Sequence, residues 1–311
     1  MSLRILAVAL AATTAPAGEE PLRIREAHDR SVSALAFRPD GKQIAGAAGE
    51  TVKIWNTQSG QEVLAWEAKG KGVTALAYHP DGSRIATGHW DGTAKVWDAA
   101  TGKELLALRG HAENITGIAF RPDGNQIATG SGDDTLKLWD AATGKVQHTL
   151  DHDNEYDIAC LAYSPDGKRL ASGDGDTVVK VWNTGSGEEL RSFDRHDGAV
   201  TGLAFLPDNT TLASGDRDGT VHIWDTASGK IRRTLRHPGE LAAVAVISQG
   251  SRVLGAGADG TVKLWAVATG KESVLLRAGK SAVSAAVAGI DGKRLALAVK
   301  GSVELHGVED R

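Results

Sequence analysis

Short apolar runs recur along the chain, each closed by a polar turn. Val32-Ser33-Ala34-Leu35-Ala36-Phe37 and Ile115-Thr116-Gly117-Ile118-Ala119-Phe120 are two of them. Bounded apolar runs of this length read as buried strands. A Pro-Asp-Gly turn follows in four places, at Pro39-Asp40-Gly41, Pro80-Asp81-Gly82, Pro122-Asp123-Gly124 and Pro165-Asp166-Gly167. Proline presets φ for such a turn and glycine permits φ > 0. A second strand comes next, as in Arg169-Leu170-Ala171-Ser172, then a third that closes on tryptophan. A Thr-Gly or Ser-Gly turn, such as Thr101-Gly102 or Ser228-Gly229, leads into a fourth.

This four-strand frame repeats. It closes on Trp55, Trp97, Trp139, Trp182, Trp224 and Trp265, spaced by 41 to 43 residues, and one more step lands on His306 in a degenerate seventh copy. Four short strands per unit at a period of roughly 40–45 residues predict an all-β, seven-bladed β-propeller with four-stranded antiparallel blades. The segment Pro21–Arg25 sits where the last blade lacks a fourth strand, so it is expected to close the ring; an open strand edge is an aggregation template. The 38 glycines and only 8 prolines among 311 residues suit many tight turns.

The six tryptophan-anchored copies resemble the WD-repeat family over residues 21–308, and the clean turns and high repeat similarity resemble its bacterial members. The resemblance implies a hydrogen-bonded set in each blade. It consists of a histidine before the first strand, a hydroxyl on the second, an aspartate in the next turn and the tryptophan. Blade three would use His111, Thr129, Asp133 and Trp139; blade four His152, Ser172, Asp176 and Trp182; blade five His196, Ser214, Asp218 and Trp224. Other blades depart: Ala45 and Gly49 in blade one, Lys69 in blade two, Gly255 in blade six, and Gly279, Ala296, Lys300 and His306 in blade seven. Stability is therefore expected to peak in blades three to five and to be lowest near the closure. A hydrolase triad is a poor reading of these groupings, because they repeat from blade to blade and each comes with a tryptophan.

A net charge of −4 gives no basic field for nucleic acid. The single cysteine, Cys160, excludes an intrachain disulfide and a cysteine-based zinc site, and it aligns with small inward positions. No metal or cofactor is expected. Residues 1–17 read as a secretory signal peptide, with Arg4, the apolar run Ile5–Ala12 and Ala15-Pro16-Ala17 in the right order, leaving 18–311 as one propeller domain. Export would make the protein secreted or periplasmic; the alternative is an Ala-rich leader on a cytoplasmic protein. The run is too short to span a bilayer.

With no catalytic motif in view, function falls to the loops. In the family, the loops that carry the blade histidine and the turn aspartate open on one face, which commonly recruits peptides or proteins. Two features break the repeat there: the longer Asp151–Asp157 loop of blade four, and His89-Trp90 in the blade-two turn. The candidate partner-binding residues are His89, Trp90, Asp153, Glu155, Tyr156, Asp174, Asp197, Asp216 and Arg217. Acids on blades four and five face Arg30, Lys69, Lys71, Lys280 and Lys300 on blades one, two and seven, a dipole that would orient a basic peptide. Trp66 is expected at the outer rim. The reading is a monomeric, non-enzymatic scaffold for a protein or peptide, with a channel-based enzyme or small-molecule sensor as the alternative.

Overall fold

A computed structural model describes residues 22–24, 27–153, 156–277, 283–289, 294–299 and 301–307. Its sheets are seven, each of four antiparallel strands. Blade three shows the plan: strands Ile115–Phe120, Gln126–Ser131, Thr135–Asp140 and Val146–Asp151 lie side by side in chain order. The first two are buried along their whole length, while the fourth is largely exposed, so the chain runs outward from the ring's centre to its rim. Trp139 pairs with Ile127 in register and is 1% exposed, in a core that continues into Leu161 and Trp182 of blade four. The apolar layers thus lie between blades, which is why no blade is stable alone.

The seventh sheet joins the two ends of the chain. Leu22–Ile24 pairs with Ser302–Gly307, Leu22 opposite Leu305 and Ile24 opposite Val303. This is the closure expected from the sequence. Three further contacts bind blade seven to blade one: His28 N–H donates to the Gly301 carbonyl (3.1 Å), Ser284 Oγ to the Val32 carbonyl (2.8 Å), and Arg294 to the Gly41 carbonyl (2.9 Å).

Two of those contacts are recurrent devices. In blades two to seven the first strand carries a bulge at its second residue, as between Val73 and Ala75 or Ile115 and Gly117. A bulge re-aims the side chain it holds. Thr74 Oγ1 there donates to the Ile115 carbonyl of the next blade (2.5 Å), and Ser33 Oγ in blade one does the same to Val73 (2.7 Å). The arginine that opens the second strand makes the other link: Arg84 reaches the Ala141 carbonyl of blade three (3.4 Å) and Arg169 the Asn209 carbonyl of blade five (3.1 Å).

In blades two, three and five the aspartate after the tryptophan folds the following turn. Asp140 Oδ1 accepts from Ala142 N–H (3.1 Å) and from the Thr143 amide and hydroxyl (2.8 Å each). Asn56 and Asn183 do the same in blades one and four, since an amide oxygen accepts equally well. In blade five, Asn209 takes the glycine position of the Pro-Asp-Gly turn with φ 61°, a region asparagine tolerates.

Candidate partner-binding face

The loops into the first strands and the turns between second and third strands meet on one face. Beneath it lie the polar sets, which hold those loops in place. In blade three, Trp139 Nε1–H donates to Thr129 Oγ1 (2.8 Å), His111 Nε2 meets the same hydroxyl (2.7 Å), and His111 Nδ1 is 3.0 Å from Asp133. Burial works against the charge on Asp133, but hydrogen bonds from His111, Thr135 and the Ala112 amide outweigh it and hold the carboxyl well below the usual range.

Blades four and five keep the hydroxyl and change the carboxylate. Ser172 and Ser214 each accept from their tryptophan (2.7 and 2.6 Å) and meet their histidine (2.6 Å in both). The acid opposite His196 Nδ1 is Asp216, at 2.8 Å, not Asp218; opposite His152 Nδ1 it is Asp174, at 3.4 Å, not Asp176. Asp174 and Asp216 end their strands two residues before the turn position, are fully buried, and accept from the Val178 and Thr220 amides (3.0 and 2.8 Å). Blade three has Ser131 at that place, which leaves the role to Asp133 across the turn. Asp174 and Asp216 are therefore interior residues, not part of a partner-binding surface. Asp218 is exposed beside Gly198, and Asp176 is half-buried.

His89 is a third correction. It is 1% exposed, and its Nε2 lies 2.9 Å from Thr87 Oγ1, the hydroxyl that also accepts from Trp97 Nε1–H (2.8 Å). Blade two thus replaces the missing loop histidine (Lys69) with one from its own second strand. Gly70 leaves room for the ring: a Cβ there would lie 2.9 Å from His89 Nδ1. Burial lowers the His89 pKa to about 4. Both nitrogens of His111 and His196 are occupied by protein partners, so these imidazoles offer no free base to a substrate.

Several candidates do lie on the surface. Trp90 is 59% exposed beside Gly72, and Tyr156 is 48% exposed. Asp153 is exposed and 3.4 Å from Lys180 Nζ; Asp197 is exposed; Arg217 pairs with Glu240 of blade six (3.1 Å). Glu155, Lys280, Lys300 and residues 1–17 lie outside the described residues. Trp66 is half-buried, its ring 6.1 Å from that of Trp97, a wedge between blades one and two. Cys160 is buried, and burial pushes its thiol pKa up.

The acidic region is centred differently from the expectation. Burial and the charges of Asp157, Asp133, Glu113 and Asp151 raise the pKa of Asp134. Glu113 and Asp157 carboxylate oxygens both crowd Gly132, 3.2 and 3.5 Å from where its Cβ would be. None of Glu113, Asp134 and Asp157 has an ion-pair partner among the described residues. This acidic cluster thus lies between blades three and four. Glu113 and Asp134 were missed because each is unremarkable in its own repeat; only the neighbouring long loop makes them a cluster.

A family model described as the IFT122 first beta-propeller matches residues 31–306. The chain belongs to that family. No curated protein matches it. The IFT122-type first propeller is a WD-repeat-type ring, and propellers of this kind typically mediate protein interactions and are typically non-catalytic. In this member, no helix among the described residues is long and apolar enough to cross a membrane, and no group of three or more His, Cys, Asp or Glu could hold a metal ion.

Proposed function

We propose that this propeller is a monomeric, non-enzymatic scaffold whose loop face recruits a basic segment of a protein partner. The observation that carries the reading is the uncompensated acidic cluster of Glu113, Asp134 and Asp157 on the face that also exposes Trp90 and Tyr156. Aromatic side chains supply most of the energy at such contacts, and charge sets approach and orientation. The leader at 1–17 supports a place outside the cytoplasm; N-terminal sequencing of the mature protein tests cleavage before Gly18.

The function test is capture of proteins from native extract by the intact propeller and by a Trp90→Ala, Tyr156→Ala double variant. A basic protein held by the first and lost by the second supports the reading. Equal capture by both, or capture of acidic proteins only, overturns it and directs attention to the central channel.

A further inference from the structure

Blade one lacks two members of its polar set, and a cavity lies beside the second of these places. Ala45 stands where Thr129 stands in blade three, and Gly49 where Asp133 stands. A cavity of about 420 Å³ opens there, walled by His28, Asp29, Arg30, Gly49, Glu50 and Glu67. His28 is 7% exposed, with its ring edge-on to Trp55 at 5.4 Å.

The missing hydroxyl decides the chemistry of His28. With no hydroxyl at position 45, His28 Nε2 turns to the Gly46 carbonyl, 3.2 Å away. A carbonyl only accepts, so Nε2 carries the proton. In the neutral ring Nδ1 is then a bare acceptor. It has no hydrogen-bond partner among the described residues. Burial lowers the pKa of the ring, and nearby Lys53 acts in the same direction, against the Gly46 hydrogen bond, Glu62 and Asp29. In blade three the corresponding Nδ1 faces an aspartate; here it faces a cavity and asks for a donor.

The rest of the wall agrees. Among the lining acids, Glu67 is engaged by Thr51 (3.0 Å), while Asp29 and Glu50 are exposed and have no ion-pair partner among the described residues. The basic groups are Lys53, paired with Glu62 at 3.0 Å, and Arg30, which lies along Gly49. Trp90 lies nearby, outside the lining: Gly72 sits between it and Gly49, with Trp90 Cδ1 3.1 Å and the Gly49 carbonyl 3.7 Å from where a Gly72 Cβ would be.

We propose that this cavity receives a cationic side chain, a lysine ammonium or arginine guanidinium, from the partner segment. His28 Nδ1 accepts from it, and Asp29 and Glu50 balance its charge. The proposal rests on the basic-partner reading above and names the anchor residue type. A carboxylate ligand is the opposite chemistry and makes the opposite prediction at Arg30.

The test is NMR of the full-length protein with ¹⁵N-labelled histidine and tryptophan, titrated with N-acetyl-lysine N-methylamide, N-acetyl-norleucine N-methylamide and acetate. The expected result is a saturable shift of the His28 ring and the Trp90 indole with the lysine amide alone. Arg30→Ala should tighten that binding and Glu50→Gln weaken it, each about two- to fivefold, the scale of exposed ion pairs. Affinity should hold through pH 6.5 and fall only at more acid pH, because burial lowers the His28 pKa and a protonated Nδ1 no longer accepts. The proposal fails if the lysine amide moves neither signal up to its solubility limit, or if acetate binds and Arg30→Ala abolishes it. Basic proteins captured by the loop face while the lysine amide leaves His28 unmoved would sink the cavity alone. A saturable lysine site with no partner captured would sink the scaffold reading alone.

Discussion

At the residue scale, the polar sets and the interblade hydroxyls make opposite predictions for the same substitution. Thr129 Oγ1 serves both Trp139 and His111. Thr129→Val keeps the volume and leaves a buried indole N–H and an imidazole nitrogen without a partner, at about 1–3 kcal/mol each. The denaturant midpoint should fall by the equivalent of about 2–6 kcal/mol with the slope unchanged. Thr116, at the bulge of the same blade, is 2% exposed and its hydroxyl has no hydrogen-bond partner among the described residues. It is the counterpart of Thr74, whose hydroxyl does reach the next blade. Thr116→Val should therefore be neutral or stabilise by up to about 1 kcal/mol, since it removes an unsatisfied buried group. A loss of stability comparable to that of Thr129→Val would show that the Thr116 hydroxyl is bonded in solution.

At the element scale, the blades differ in how many bonds hold their loops. Blades three and five carry complete sets and blade four's lacks only a hydrogen bond at His152 Nδ1; blade one has a cavity at its place, and blade seven joins through a three-residue strand. Amide exchange should be slowest in Ile118–Phe120, Leu161–Tyr163 and Leu203–Phe205, and fastest in the Ser302–Gly307 pairing. Exchange that is uniform around the ring would mean that closure is as strong as any other junction. Arg294→Ala removes the strap from blade seven to Gly41 and should speed exchange in blades seven and one without changing blade four. The strands, turns and closure were legible in the sequence, because tryptophan spacing and turn residues are local signals. The member of each polar set that varies was not. Asp174 and Asp216 sit two residues from the turn aspartate, and a carboxylate at either place can reach the same imidazole. His89 was read as a loop residue because it adjoins the exposed Trp90, yet it ends the strand Arg84–His89 and its side chain alternates inward. The blade-one cavity was visible only as two missing residues, Ala45 and Gly49; the tautomer that gives it chemistry depends on where the His28 ring turns.

At the scale of the whole molecule, buried histidines and low-pKa carboxylates make the ring sensitive to acid in two successive windows. His89 and His222 both have their pKa lowered to about 4, by burial first and, for His222, next by the charge of His196 whose ring is 4.8 Å away. Above pH 6.5 these two are neutral in the folded and unfolded chain, so they leave the balance untouched. Between about 6.5 and 4 the unfolded chain binds protons that the fold refuses. The unfolding free energy should fall in this window as pH falls, with a slope of at most about 1.4 kcal/mol per pH unit for each histidine. Below about 4 the carboxylates take over: Asp133 and Asp216 are held below the usual range by hydrogen bonds that outweigh their burial, so they too are protonated first in the unfolded chain. Stability should thus drop steadily from pH 6.5 downward. Urea unfolding at pH 7, 5.5 and 4.5 measures the first window. His89→Gln keeps an amide that can bond to Thr87 and cannot titrate, so its stability curve should be shallower than wild type between pH 6.5 and 4 and parallel to it elsewhere. If the wild-type curve is flat over that range, His89 and His222 gain protons in the folded ring, and the blade-two set must open to admit them.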